Sequence, residues 1–170
     1  AVDNFQGLST CGEDAAWYNR HFQSLGKAST LEIFQRNFSE LGFAERAEPV
    51  VSDSLAAAKT LAAAGAGGTQ GTKGLMGEVD FIFIDGDHSY AGVKSDWDLF
   101  SPHLSRFGVV VFHDTTWAVN DFGFKVREDL GVARLLEELR AAGYPLVTIN
   151  RNYGVTLVQP TRGGVPLERS

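Results

Sequence analysis

Cys11 is the sole cysteine among 170 residues, so no disulfide can close within the chain and no cysteine-based zinc cluster can form. Basic runs are missing as well. The 15 Lys and Arg are outnumbered by 21 Asp and Glu, a formal net charge of -6. Nonspecific nucleic-acid binding needs basic patches to neutralise phosphates, so it is disfavoured. No apolar stretch approaches membrane-spanning length and no signal-peptide pattern opens the chain. No membrane partner is expected, and a reducing cytoplasm is the expected compartment. Nothing in the sequence indicates a homo-oligomer. Methionine occurs once, at Met76, and the chain starts Ala1-Val2-Asp3 without an initiator. The expectation is a start that is processed, trimmed or part of a longer product.

What is present describes an ordinary globular chain, 44% hydrophobic and 21% charged. Its length suits one domain, expected over residues 1–160 with a frayed tail at 161–170. The most informative stretch runs from Val79 to Tyr90. Val79-Asp80-Phe81-Ile82-Phe83-Ile84 is too short for a helix and has the β-branched and aromatic content of a strand buried on both faces. It stops in Asp85-Gly86-Asp87-His88. Gly86 permits a turn there, and two carboxylates and an imidazole surround it. Gly108 to Phe112 is a second buried-strand pattern, ending in His113-Asp114-Thr115-Thr116. Between them Val93, Trp97, Phe100 and Leu104 recur at helical spacing. Strand, helix and parallel strand bring both ends to one edge of a sheet, where chemistry collects in open α/β folds. The candidate constellation is Asp85, Asp87, His88, His113 and Asp114. The alternative is that Asp85 and Asp87 only cap the helix that starts near Tyr90.

The remaining elements follow the same alternation. Val2-Asp3 reads as the end of a strand, Ser29 to Leu41 as a helix capped by Gly42, and Ala47 to Val51 as a short strand. Leu55 to Ala64 is an alanine-rich helix. Residues 65–77 hold six glycines in thirteen positions. They lack the Gly-Lys-Ser/Thr ending of a phosphate loop and follow a helix, so they are read as a surface insertion without assigned function. The aromatic segment Trp117 to Phe124 is a candidate lid. Val126 to Ala142 is an amphipathic helix. Leu146 to Ile149 and Gly154 to Val158 form a terminal hairpin around Asn150-Arg151-Asn152-Tyr153. Together these predict an α/β three-layer sandwich.

Ile84-Asp85-Gly86-Asp87-His88-Ser89-Tyr90, with Gly108 to Thr115, Tyr144-Pro145 and the closing hairpin strand, resembles the class I S-adenosylmethionine-dependent methyltransferase family. The resemblance runs from Ala1 to Val158. It implies a mostly parallel Rossmann-like sheet with a C-terminal antiparallel hairpin, truncated at its N-terminus, because no first strand with a glycine-rich turn precedes Ala1. It implies S-adenosylmethionine as cofactor, with Asp3 on the ribose hydroxyls and Asp53 and Ser54 edging the adenine. Asp85 would stand beside the cofactor as well. In metal-dependent relatives a divalent ion, magnesium or manganese, sits where Asp85, His113 and Asp114 fall, and a general base stands at the position of His88. His113 departs from an all-oxygen site. It either favours a softer ion such as manganese or lies outside the ion's first shell.

The function this implies is metal-assisted O-methylation of a small hydroxylated acceptor. Two alternatives stand beside it: a metal-dependent phosphoesterase using the same Asp and His groups, and a degenerate methyltransferase fold serving as a non-catalytic binding module.

Overall fold

The computed structural model describes residues 1–5, 30–65, 79–116, 131–151 and 153–160. The glycine-rich insertion beyond Gly65, the candidate lid, the tail and the start of the helix predicted from Val126 lie outside the described residues. The chain divides into two compact units, Ala1–Ala57 and Ala58–Ser170.

In the first unit, β1 (Val2–Asp3) runs parallel to β2 (Val50–Val51), with Asp3 beside Val51. β2 is shorter than the predicted Ala47 to Val51, because a 3-10 turn at Ala44–Arg46 and Pro49 occupy the approach. Helix α1 (Thr30–Glu40) places Phe34 against Phe5 at 5.5 Å and against Phe38 at 4.5 Å, ring centre to ring centre. Gly42, at φ 75°, closes it. The turn lets the Phe43 N–H donate back to the Phe38 carbonyl at 2.8 Å, the bond that satisfies an orphan carbonyl at a helix end. Helix α2 (Ser54–Gly65) follows β2 directly and runs past Ala57, the last residue of this unit.

The second unit holds β3 (Val79–Ile84), α3 (Tyr90–Phe100), β4 (Leu104–His113), α4 (Val132–Ala141), β5 (Leu146–Ile149) and β6 (Val155–Val158). The strand order is β3-β4-β6-β5. β3 and β4 are parallel, and the β5–β6 hairpin returns antiparallel against β4. Alternation along the strands sends Ile84, Val110, Phe112 and Val158 to one face. There they pack with Val93 and Trp97 of α3 and with Val132, Leu135, Leu136 and Leu139 of α4. Each of these large side chains contributes about 1.5–3 kcal/mol on burial.

Two expectations change. β4 begins at Leu104, four residues before the predicted Gly108. Pro102 cannot continue the helical hydrogen bonding, so a 3-10 turn at Ser101–His103 ends α3 and releases Leu104 into the sheet. β3 is not dry on both faces. Phe81 and Phe83, opposite the helix-covered face, remain 58% and 52% exposed. Among the described residues no helix is long and apolar enough to cross a membrane.

Candidate active site at the ends of β3 and β4

The parallel register sets Ile84 beside Phe112, so Asp85 leaves β3 where His113 closes β4. Residues adjacent in a strand project to opposite faces, and His113 and Asp114 would ordinarily diverge. They do not, because Asp114 takes a left-handed backbone, φ 56°. That conformation is uncommon outside glycine and costs an L-residue roughly 1–2 kcal/mol, less for Asp and Asn. The turn is held from the hairpin: the Thr115 N–H donates to the Gly154 carbonyl at 3.3 Å and the Thr116 N–H to the Tyr153 carbonyl at 2.8 Å. Gly154 must be glycine here. Its φ is 89°, and a Cβ would overlap the Thr116 side chain.

The result is a tight cluster. His113 Nδ1 lies 3.1 Å from Asp85 Oδ1 and 3.0 Å from Asp114 Oδ1. His88 Nε2 lies 3.0 Å from Asp114 Oδ2 and 3.5 Å from Asp85 Oδ1. Asp114 is buried, 6% exposed, while the Asp85 side chain is 43% exposed. Asp85, His113 and Asp114 can each turn one ligand atom to a common point, all within 4.8 Å of one another.

His88 is reached from two sides. Ser89 caps α3, its Oγ accepting the Gly92 N–H at 3.1 Å, and the Gly131 N–H donates to the His88 carbonyl at 2.7 Å. Gly131 lies so close to Tyr90 that any side chain would collide with the Tyr90 backbone. Asp87, placed in the constellation by sequence, does not join the cluster. Its Oδ1 accepts the Ser89 N–H at 2.9 Å, and its carboxylate rests over Gly92, where a Cβ would overlap it. Asp87 shapes the turn.

Electrostatics tie the four groups together. The Asp114 carboxylate, then that of Asp85, raises the His88 pKa from 6.5 to about 10 against the opposing effect of burial. Burial pushes Asp85 upward, but contact with His88 and the charges of His113 and His88 outweigh it, and its pKa is lowered. In the ion-free protein His88 is therefore an imidazolium at neutral pH. Its folded pKa exceeds its unfolded value. The stabilisation is thus complete below pH 6.5 and is lost as pH rises through about 10. Thermal unfolding of wild type and His88→Gln should show Tm values that converge between pH 7 and 10. Parallel profiles across that window would count against a charged His88.

Ion pairing leaves part of the cluster unsatisfied. His88 Nε2 and Asp114 Oδ1 are shielded from solvent, and neither has a partner in proper hydrogen-bond geometry. Two carboxylates, one of them with a buried oxygen that lacks a hydrogen bond, and an imidazole nitrogen fit a divalent cation.

The other sequence-predicted residues lie in the first unit. Asp3 ends β1, and its Oδ1 accepts the Phe5 N–H at 2.6 Å. The Ser52 N–H donates to the Asp3 carbonyl at 3.0 Å, so Asp3 and Ser52-Asp53-Ser54 sit at neighbouring carboxyl ends of parallel strands. Asp53 Oδ1 accepts the Ala56 N–H at 2.8 Å, an N-cap of α2, and Ser54 opens that helix. Sequence reasoning missed Ser89, Tyr153 and Gly154. The Asn-Arg-Asn-Tyr-Gly turn carried a local signal for the last two, but not its contact with Thr115 and Thr116.

Residues 1–115 match the family model of a methyltransferase domain. The chain belongs to this family. Among solved structures, it is similar to a putative caffeoyl-CoA O-methyltransferase from Staphylococcus aureus, with a TM-score of 0.57 at 12% identity, over 94% of this chain and 75% of the other. It is also similar to a protein from Corynebacterium glutamicum, with a TM-score of 0.51 at 17% identity, over 94% of this chain and 59% of that one. These likenesses establish a shared Rossmann-like α/β fold. An uncharacterised protein of Sinorhizobium fredii is 44% identical over 45 residues, 26% of this chain and only 5% of the relative's length. The matched segment thus spans a small part of that relative.

Proposed function

We propose that this methyltransferase domain transfers a methyl group from S-adenosylmethionine to a hydroxyl oxygen of a small acceptor, assisted by a divalent ion. One observation carries the reading: Asp85, His88, His113 and Asp114 converge at adjacent carboxyl ends of parallel strands, with a buried carboxylate oxygen lacking a hydrogen bond. Residues 1–160 are proposed as a single methyltransferase-like domain. The Staphylococcus aureus neighbour, a putative caffeoyl-CoA O-methyltransferase, supports oxygen as the acceptor atom.

The residues divide the work as follows. Asp3 receives the ribose hydroxyls of the methyl donor, because a carboxylate can accept from both at once. Asp53 and Ser54 edge its adenine, and Asp85 borders its methyl end. Asp85, His113 and Asp114 hold the divalent ion, which when bound lowers the pKa of an acceptor hydroxyl. His88 removes the hydroxyl proton. Displacement at the methyl carbon is direct and in line, so these side chains act by positioning. A phosphoesterase working with two ions needs a second ligand group. Among the described residues one group of three ligands occurs.

The test is release of S-adenosylhomocysteine from S-adenosylmethionine in the presence of a panel of phenols, sugars and polyketide alcohols, with and without added magnesium or manganese. Methylated product that depends on both the acceptor and the ion supports the reading. Cofactor that binds but never turns over with any acceptor favours the non-catalytic module. Asp3→Ala should weaken S-adenosylmethionine binding by about 1.5–3 kcal/mol, the scale of a hydrogen bond to a charged group, as measured by titration calorimetry. Unchanged affinity would make Asp3 a turn residue only.

A further inference from the structure

We propose that the ion site selects a dication that accepts nitrogen, manganese or a later first-row transition ion, over magnesium and calcium, with His113 Nδ1 as the selecting ligand. This rests on the reading of Asp85, His113 and Asp114 as the ion's holders, and adds which class of ion they take.

Ligand atoms about 2.1 Å from a metal, at right angles to one another, stand roughly 3 Å apart. His113 Nδ1 stands 3.1 Å from Asp85 Oδ1 and 3.0 Å from Asp114 Oδ1. These are two edges of a coordination polyhedron that share the nitrogen as a corner. A position outside the ion's shell requires the nitrogen to carry a proton and donate it. One proton can serve one of the two oxygens, and only the bond to Asp85 has hydrogen-bond geometry. Asp114 Oδ1 is left without a hydrogen bond in a residue 6% exposed. A lone pair on Nδ1 and an ion bound to all three atoms satisfy every group at once.

The backbone supports the same assignment. The left-handed turn at Asp114 brings its carboxylate to the imidazole of the preceding residue, against the alternation of the strand. A site of carboxylates alone has no need of that convergence. Magnesium and calcium prefer oxygen and bind imidazole poorly, whereas manganese, iron, cobalt and zinc accept it. His113 thus penalises the two commonest hard cations.

The experiment uses metal alone on chelator-treated protein. Titration calorimetry with manganese, cobalt and magnesium chlorides should give at least about tenfold tighter binding of manganese and cobalt than of magnesium. Pulsed electron paramagnetic resonance of the manganese form should show coupling to a directly bound nitrogen. That coupling should persist in His88→Ala and vanish in His113→Asp, which should also narrow the ratio towards magnesium. Equal affinity for manganese and magnesium, or no nitrogen coupling in the wild type, would overturn the selectivity while leaving the ion-assisted function standing. Failure of every dication to bind would overturn both.

Discussion

His88→Ala should lower turnover about 10²–10⁴-fold, the usual contribution of a positioned proton acceptor, while S-adenosylmethionine affinity hardly moves. The readout is S-adenosylhomocysteine formed at saturating acceptor, followed against ion concentration. His88 sits where a base belongs, yet in the ion-free protein Asp114 and Asp85 hold a proton on it up to about pH 10. An imidazolium accepts nothing. The same two carboxylates are the ones read as ion ligands, so a dication there competes for the charge that keeps His88 protonated. Two consequences separate this role from its rivals. Wild-type turnover should need both the ion and the unprotonated imidazole, with the acid limb of the pH profile absent in His88→Ala. Were His88 a ligand instead, excess manganese would restore the variant. Were it only part of the turn before α3, the loss would appear as stability, with turnover intact. Full recovery of activity at high ion concentration would end the general-base assignment.

Much of this arrangement can be read from the chain, and the parts that cannot share a physical reason. Val79 to Ile84 followed by Asp-Gly-Asp-His is local information, as is Val109 to Phe112 followed by His-Asp. Strand type, order and the shared edge follow from these runs and the helix between them. Local pattern says much less about direction. Asp85 and Asp87 are equivalent in sequence, two carboxylates flanking one glycine. The approach of Gly92 and the Ser89 N–H, which no local pattern announces, hold Asp87 at the helix entry, while Asp85 stays at the cluster. The left-handed Asp114 is likewise invisible along the chain, because its support comes from Tyr153 and Gly154, forty residues away by sequence. The exposed Phe81 and Phe83 show the same limit from the other side. An unbroken apolar run signals a strand, but not which of its faces the fold covers.

Asp114→Asn should weaken manganese binding by at least about 100-fold and abolish ion-dependent activity, while the fold is retained. Asparagine has the shape of aspartate and tolerates the left-handed conformation better than other substitutes, so the turn at φ 56° survives. What it removes is a formal charge from a residue 6% exposed, where the carboxylate meets two imidazoles. Charge-assisted contacts are roughly twice as strong as neutral ones, and buried charge is screened least. The His88 pKa should fall too, because Asp114 is the largest cause of its rise. Asp114→Ala should behave worse, adding backbone strain to the loss of charge, and its Tm should drop below that of Asp114→Asn. The discriminating measurement is the Tm shift on adding manganese. A ligand that binds only the folded state raises Tm by mass action, so the wild type should shift and Asp114→Asn should not at the same concentration. If Asp114→Asn shifts as far as the wild type, the carboxylate is no ion ligand, and its role reduces to holding the proton on His88.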